Sequence, residues 1–213
     1  MTANYALCRP IDPYSPQDPE FKKLYIEERY TLTLKYVSLP TDIPIIYDWL
    51  TPRLDDTLWR NEGPRQELLL SYKENLESDN CQSFMIYIKT GKKPVPICQV
   101  DIDQLYGRTL LEGWTAQPGD YSFRIIISPR LPRFRRAFYH FLQLLFEYAF
   151  QFPEVKQVVT QLYDGYQQAS DILITAGFER IGRIQVLEYR VNIFSCTLES
   201  LANRGIQMYY GDH

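Results

Sequence analysis

The sequence predicts a mixed α/β fold, one mixed sheet with helices on both faces, in the order β-α-α-β-β-β-α-β-α-β-β. Three observations predict it. Residues 82–103 read as a hairpin, and 121–128 adds a third strand, which together make an antiparallel meander. Residues 133–150 hold the longest helical pattern in the chain, and the nearly continuous apolar run VKQVVTQLY (155–163) follows it. That run suits a strand buried on both faces and reached by a helical crossover. A strand and two helical patterns precede the meander, so helices fall on both sides of the sheet.

Taken in order, residues 1–29 are polar and carry Pro10, Pro13, Pro16 and Pro19. They read as an extension that either wraps the surface or stays a loose arm, with a short helix expected at FKKLYIEERY (21–30). The remaining 30–213 reads as a single domain. TLTLKYVS (31–38) has strand composition. A helix follows over 41–53, with Thr41 or Asp42 as N-cap, Pro44 in its first turn, and Ile45, Ile46, Trp49 and Leu50 on one face. The next helix, 64–78, opens with Pro64 and repeats Leu68, Leu69, Tyr72 and Leu76. In QSFMIYIK (82–89) the residues Phe84, Ile86 and Ile88 alternate, TGKKP turns the chain, and VPICQVDID (95–103) returns it. Residues 104–119 read as a loop around Trp114. After the long helix and its strand, 165–176 forms a short helix ended by Gly177, and 178–198 forms two last strands. The tail from 201 is left without assignment.

Composition narrows the function. With 213 residues, 45% hydrophobic and 23% charged, the chain is long enough for a sizeable core. A net charge of −3 argues against a general nucleic-acid binder. No apolar run reaches the ~18 residues of a membrane span, and the N-terminal MTANYALCRPIDPYSP lacks the apolar core of a signal peptide. Cys8, Cys81, Cys98 and Cys196 are scattered, which fits reduced thiols in a cytoplasmic protein. With His140 and His213 the only histidines, a histidine-based metal site is not expected. His140 lies among Phe138, Phe141 and Leu142 and reads as structural.

The stretch IIISPRLPRFRRAFYHFLQLLFEYAF (125–150) carries most of the chemistry. A β-branched run ends in Ser128-Pro129, and Arg130, Arg133, Arg135 and Arg136 crowd the turn before the helix. Cations at a helix N-terminus cost about 0.3–1 kcal/mol each. Four together call for a counter-anion: a ligand phosphate, an acidic partner, or internal carboxylates.

The element order resembles the GNAT superfamily of acyl-CoA N-acyltransferases over roughly residues 31–198. Ile127-Ser128-Pro129 stands where that family has V-x-P, Ala137 where the last small residue of its CoA turn belongs, and Ala176-Gly177-Phe178 resembles its A-G-F. A narrower resemblance is to the siderophore-biosynthesis branch, which acylates N-hydroxylysine-type amines. Asp120-Tyr121-Ser122-Phe123-Arg124 occupies its D-x-G-x-H, and Gln161 to Tyr166 its E-P-D-x-x-N. The CoA motif is degenerate: Arg133 and Arg135 replace its glycines and Pro132 its first polar residue. Arg124 replaces the branch's histidine and Tyr166 its asparagine.

The resemblance implies acetyl-CoA or another acyl-CoA as co-substrate, no metal, and a small-molecule amine or hydroxylamine as acceptor. It implies a monomer or homodimer that uses neither nucleic acid nor membrane. Backbone groups at Ile125, Ile126 and Ile127 would bind the pantetheine arm and polarise the thioester carbonyl. Arg130, Arg133, Arg135 and Arg136 would take over the phosphates from the missing glycine amides. Asp120 is the first choice for the base, and the alternative is that it caps the turn in PGDY. Tyr163 and Tyr166 are placed to protonate the leaving thiolate, or simply to pack. Trp114, Arg124 and Glu112 would line the acceptor side, and Arg124 would favour an anionic group. Three readings stand: an N-acyltransferase, a catalytically inactive CoA- or anion-binding protein of this fold, and a protein-interaction module.

Overall fold

The computed structural model describes residues 6–14, 21–25, 29–50, 64–111, 114–129 and 135–206. The chain forms two compact units. One takes Cys8–Asp101 and Ile125–Phe134; the other takes Met1–Leu7, Ile102–Arg124 and Arg135–His213.

The first unit opens with β1 (Phe21–Tyr25), paired antiparallel with β2 (Tyr30–Tyr36). A helix was the expectation for this stretch. It fails because Phe21, Lys23 and Tyr25 are half-buried while Lys22 and Leu24 are exposed, a period of two. Arg29 at φ 55° turns the chain before β2, and pairing Tyr25 with Tyr30 sets their rings 5.5 Å apart. Tertiary pairing thus overrides local helix propensity. β3 (Cys81–Lys89) pairs antiparallel with β2, Leu34 opposite Ile86. β4 (Val95–Gln104) completes the hairpin beside it.

Helix α1 (Leu39–Leu50) starts two residues earlier than the sequence pattern suggested. The Asp42 carboxylate accepts from the Ser38 amide at 2.8 Å and from the Tyr87 hydroxyl at 2.6 Å, which pins the first turn to β3. Helix α2 (Arg65–Leu76) follows Pro64. Tyr72 and Leu76 of α2 pack with Ile43, Ile46 and Leu50 of α1 on Met85. The N-terminal extension is bonded where it is described. Ile11 donates to the Leu76 carbonyl at 2.8 Å, Leu39 donates to that of Pro13 at 3.2 Å, and the Gln82 amide donates to that of Arg9.

The second unit carries β5 (Thr109–Leu111) and β6 (Trp114–Thr115), a small hairpin where a loop was expected. Next come β7 (Asp120–Ile127), whose last three residues count with the first unit, then α3 (Arg135–Phe150), β8 (Gln157–Tyr163), α4 (Gln167–Thr175), β9 (Glu179–Val186) and β10 (Tyr189–Thr197). Strand neighbours run β1-β2-β3-β4-β7 and then β7-β8-β10-β9. β7 and β8 are parallel, joined through α3, while β8–β10 and β10–β9 are antiparallel. Phe141, Leu142, Leu145 and Phe146 of α3 are fully buried, and Phe146 stacks on Phe123 at 6.2 Å. Gly177 ends α4 at φ 104°, as its sequence position suggested, and a Cβ there would lie 2.6 Å from Leu201 Cδ2. Helix α5 (Leu198–Asn203), capped by Thr197 and Ser200, takes in the first three residues of the tail left unassigned by sequence.

Among the described residues, no helix is long and apolar enough to cross a membrane, and no cluster of three or more potential metal ligands occurs.

Candidate active site

The parallel ladder between β7 and β8 is short. Asp120 registers with Gln157, Tyr121 with Val158 and Ser122 with Val159, and there the register ends. The next pair in sequence is Phe123 and Thr160. Instead of a backbone bond, the Thr160 hydroxyl donates to the Phe123 carbonyl at 2.9 Å. β8 keeps its other edge, since Thr160 faces Phe194 of β10 and the pairing runs on to Tyr163 opposite Val191.

Asp120 starts β7 and is buried. Its carboxylate accepts from the Gln117 amide at 2.7 Å, and its carbonyl accepts from Leu105 at 2.8 Å. The turn-capping role weighed from the sequence is therefore present. A carboxylate has further lone pairs, so one accepted bond does not remove its capacity to take a proton. Gly119, which precedes it at φ 98°, accepts from Lys156 at 2.8 Å.

Two sequence-predicted residues meet on one apolar cluster. Trp114 and Tyr163, with Leu110 and Ile184, pack against Leu105, Ala116, Val159, Val191 and Ile193. The Tyr163 ring also stands edge-on to Tyr189 at 5.1 Å. Tyr166 is the N-cap of α4 and is exposed; its amide donates to the Tyr163 carbonyl at 3.1 Å. Both tyrosines thus belong to one short turn at the end of β8.

That turn is tied down by residues the sequence reading did not single out. Asp164 Oδ1 accepts from Asn192 Nδ2 at 2.9 Å and from an Arg183 terminal nitrogen at 3.1 Å. Arg183 Nε donates to Asn192 Oδ1 at 3.0 Å, closing a ring of three side chains that ties the turn after β8 to β9 and β10. The Asp164 amide adds a bond to the Arg190 carbonyl at 2.9 Å. The signal in the sequence was Asn192 itself, a lone amide inside the apolar run VNIF.

Of the other expected positions, Ile125 and Ile126 are half-buried and Ile127 is 40% exposed, with Ile126 packed against the α1–α2 cluster. Arg124 is exposed on β7. Ala137 is buried in the first turn of α3. Arg135 and Arg136 are the first residues of α3. Arg130, Arg133 and Glu112 lie outside the described residues.

All four cysteines are buried. Burial pushes the Cys98 thiol far up and the Cys196 thiol to about 12, so neither is a nucleophile at neutral pH. Burial first, and the Asp42 carboxylate second, also drive the Tyr87 hydroxyl far above its usual range.

No protein-family model matches the chain, and no curated protein matches it. Solved structures do. An uncharacterised protein from Bacillus halodurans superposes with TM-score 0.71 at 13% identity, covering 87% of this chain and 93% of that one. A chimera of spermidine N-acetyltransferase SpeG from Vibrio cholerae and hSSAT superposes with TM-score 0.65 at 14% identity, covering 81% and 99%. The aminoglycoside acetyltransferase AAC(6')-Ib in complex with coenzyme A gives TM-score 0.65 at 17% identity, covering 81% and 98%. At these identities the likeness concerns the fold alone: the chain shares the mixed α/β fold of these two acetyltransferases.

Proposed function

We propose that the chain is an N-acyltransferase that moves an acetyl or similar acyl group from acyl-CoA to a small-molecule amine or hydroxylamine. The observation that carries the reading is the parallel β7–β8 ladder that stops after three pairs, in a fold shared with acetyltransferases. A ladder that stops leaves main-chain donors and acceptors in need of other partners, and a pantetheine arm offers amides of its own. The acyl-CoA supplies an acyl group activated as its thioester. Transfer forms an amide bond at the acceptor nitrogen and breaks the carbon–sulfur bond, so one proton leaves nitrogen and one reaches sulfur.

In this reading main-chain groups at Ile125–Ile127 orient the arm, and Ala137 keeps the first turn of α3 narrow. Arg130, Arg133, Arg135 and Arg136 hold the phosphates. They replace glycine amides with guanidinium forks. Asp120 takes the amine proton, and Tyr166 or Tyr163 returns one to sulfur. Trp114, Arg124 and Glu112 contact the acceptor. The protein acts in the cytoplasm as a monomer or homodimer, with 30–213 as the catalytic domain and 1–29 as its extension.

One observation favours a second reading, in which acyl-CoA binds without transfer: the Asp120 carboxylate is engaged by the Gln117 amide. An assay of free CoA thiol released from acetyl-CoA, run across polyamines, aminoglycosides and hydroxylamines, separates the two. Acceptor-dependent thiol release is the expected result. Saturable acetyl-CoA binding with no release for any acceptor supports the second reading instead.

A further inference from the structure

The bond between Thr160 and Phe123 marks the position where the β7–β8 ladder ends. Continuing the register Asp120–Gln157, Tyr121–Val158, Ser122–Val159 makes Phe123 and Thr160 the next pair. A ladder carbonyl at this position ordinarily accepts a neighbouring backbone N–H. Here the Phe123 carbonyl takes the Thr160 hydroxyl at 2.9 Å. The side chain is buried, so water is not the alternative partner. On its other edge β8 is held independently by β10, through pairs from Gln157–Thr197 to Tyr163–Val191. Thr160 therefore does not hold β8 in the sheet. Its hydroxyl holds β7 at the point where the ladder stops.

We propose that Thr160 is a positioning residue for the acyl-pantetheine arm. Its hydroxyl anchors the Phe123 carbonyl and so sets the course of the β7 backbone that the arm pairs with. The inference rests on the acyl-CoA reading above. It assigns a cofactor-orienting task to a side chain outside the arginine turn and outside the candidate acid and base.

The test is calorimetric titration of the full chain with two probes. Acetyl-CoA carries both the phosphates and the pantetheine arm, and adenosine 3′,5′-bisphosphate carries phosphates alone. Thr160→Val removes the hydroxyl at nearly constant volume, and Thr160→Ser keeps it. The expected result is an approximately ten-fold loss of acetyl-CoA affinity in Thr160→Val. The bisphosphate should be unaffected, and Thr160→Ser should restore acetyl-CoA binding. If Thr160→Val does not fold, Thr160→Ser and Thr160→Ala make the same comparison. Equal acetyl-CoA affinity with and without the hydroxyl overturns the inference and leaves the acyl-CoA reading standing. Equal loss of both probes overturns it too, since that pattern belongs to general damage. A wild-type chain that binds neither probe overturns the acyl-CoA reading, and the inference with it.

Discussion

Asp120 is a single side chain with two demands on it. Its carboxylate closes the Gln117 turn, and in the proposed reaction it takes a proton. The two demands separate by substitution. Asp120→Asn keeps an acceptor oxygen for the Gln117 amide but cannot take the proton, so turnover should fall by about 10²-fold or more with little change in melting temperature. Asp120→Ala should add a stability loss of about 1 kcal/mol, measured by urea denaturation. At the same scale, burial raises the Cys196 thiol from 9.0 to about 12. The folded state therefore holds this proton over a range in which the unfolded chain gives it up. Stability from this group is intact below about pH 9 and is lost as pH climbs towards 12. Melting temperature should drop across that window, and the drop should be shallower in Cys196→Ala. The turn-capping role of Asp120 was legible in PGDY, where an aspartate follows Pro-Gly. Thr160 was not, since a threonine in an apolar strand reads as ordinary β composition until its hydroxyl is seen to bond across to Phe123.

Among the elements, the turn that carries Tyr163 and Tyr166 depends on the ring of Asp164, Asn192 and Arg183. Asn192 is buried and serves both other members, whereas the side chains of Arg183 and Asp164 are 43% and 36% exposed. Removing the buried member loses two hydrogen bonds, so Asn192→Ala should cost about 1–2 kcal/mol. Asp164→Asn should cost less than about 1 kcal/mol, because water screens the exposed pair. Chemical denaturation of the two variants checks the order. Gly177→Ala should also destabilise, by about 1–3 kcal/mol, since it forces a side chain into positive φ and against Leu201. Elements with strong periodicity were legible: the 82–103 hairpin, the long α3 and the buried β8 all fall where their patterns place them. β1 was not, because FKKLYIEERY satisfies helix propensity locally and only pairing with β2 reveals its period of two. The β5–β6 hairpin was missed because strands of three and two residues carry too few positions to show alternation.

For the whole molecule, element order carried more information than residue identity. The fold is shared with spermidine and aminoglycoside acetyltransferases at 14% and 17% identity, because many sequences satisfy one pattern of buried faces. Chemistry is less tolerant of substitution, and it rests on particular residues. The chain carries Arg130, Arg133, Arg135 and Arg136 within seven residues of sequence, the last two opening α3, at a net charge of −3. Helix dipole and mutual repulsion both disfavour that arrangement unless an anion is bound. The claim that this anion is the phosphate of an acyl-CoA is tested most directly by calorimetric titration with acetyl-CoA of the wild type and of Arg133→Glu/Arg135→Glu. The account predicts saturable micromolar binding by the wild type and a loss of more than about ten-fold in the double variant. Absence of binding by the folded wild-type protein, or equal binding by both, would contradict it.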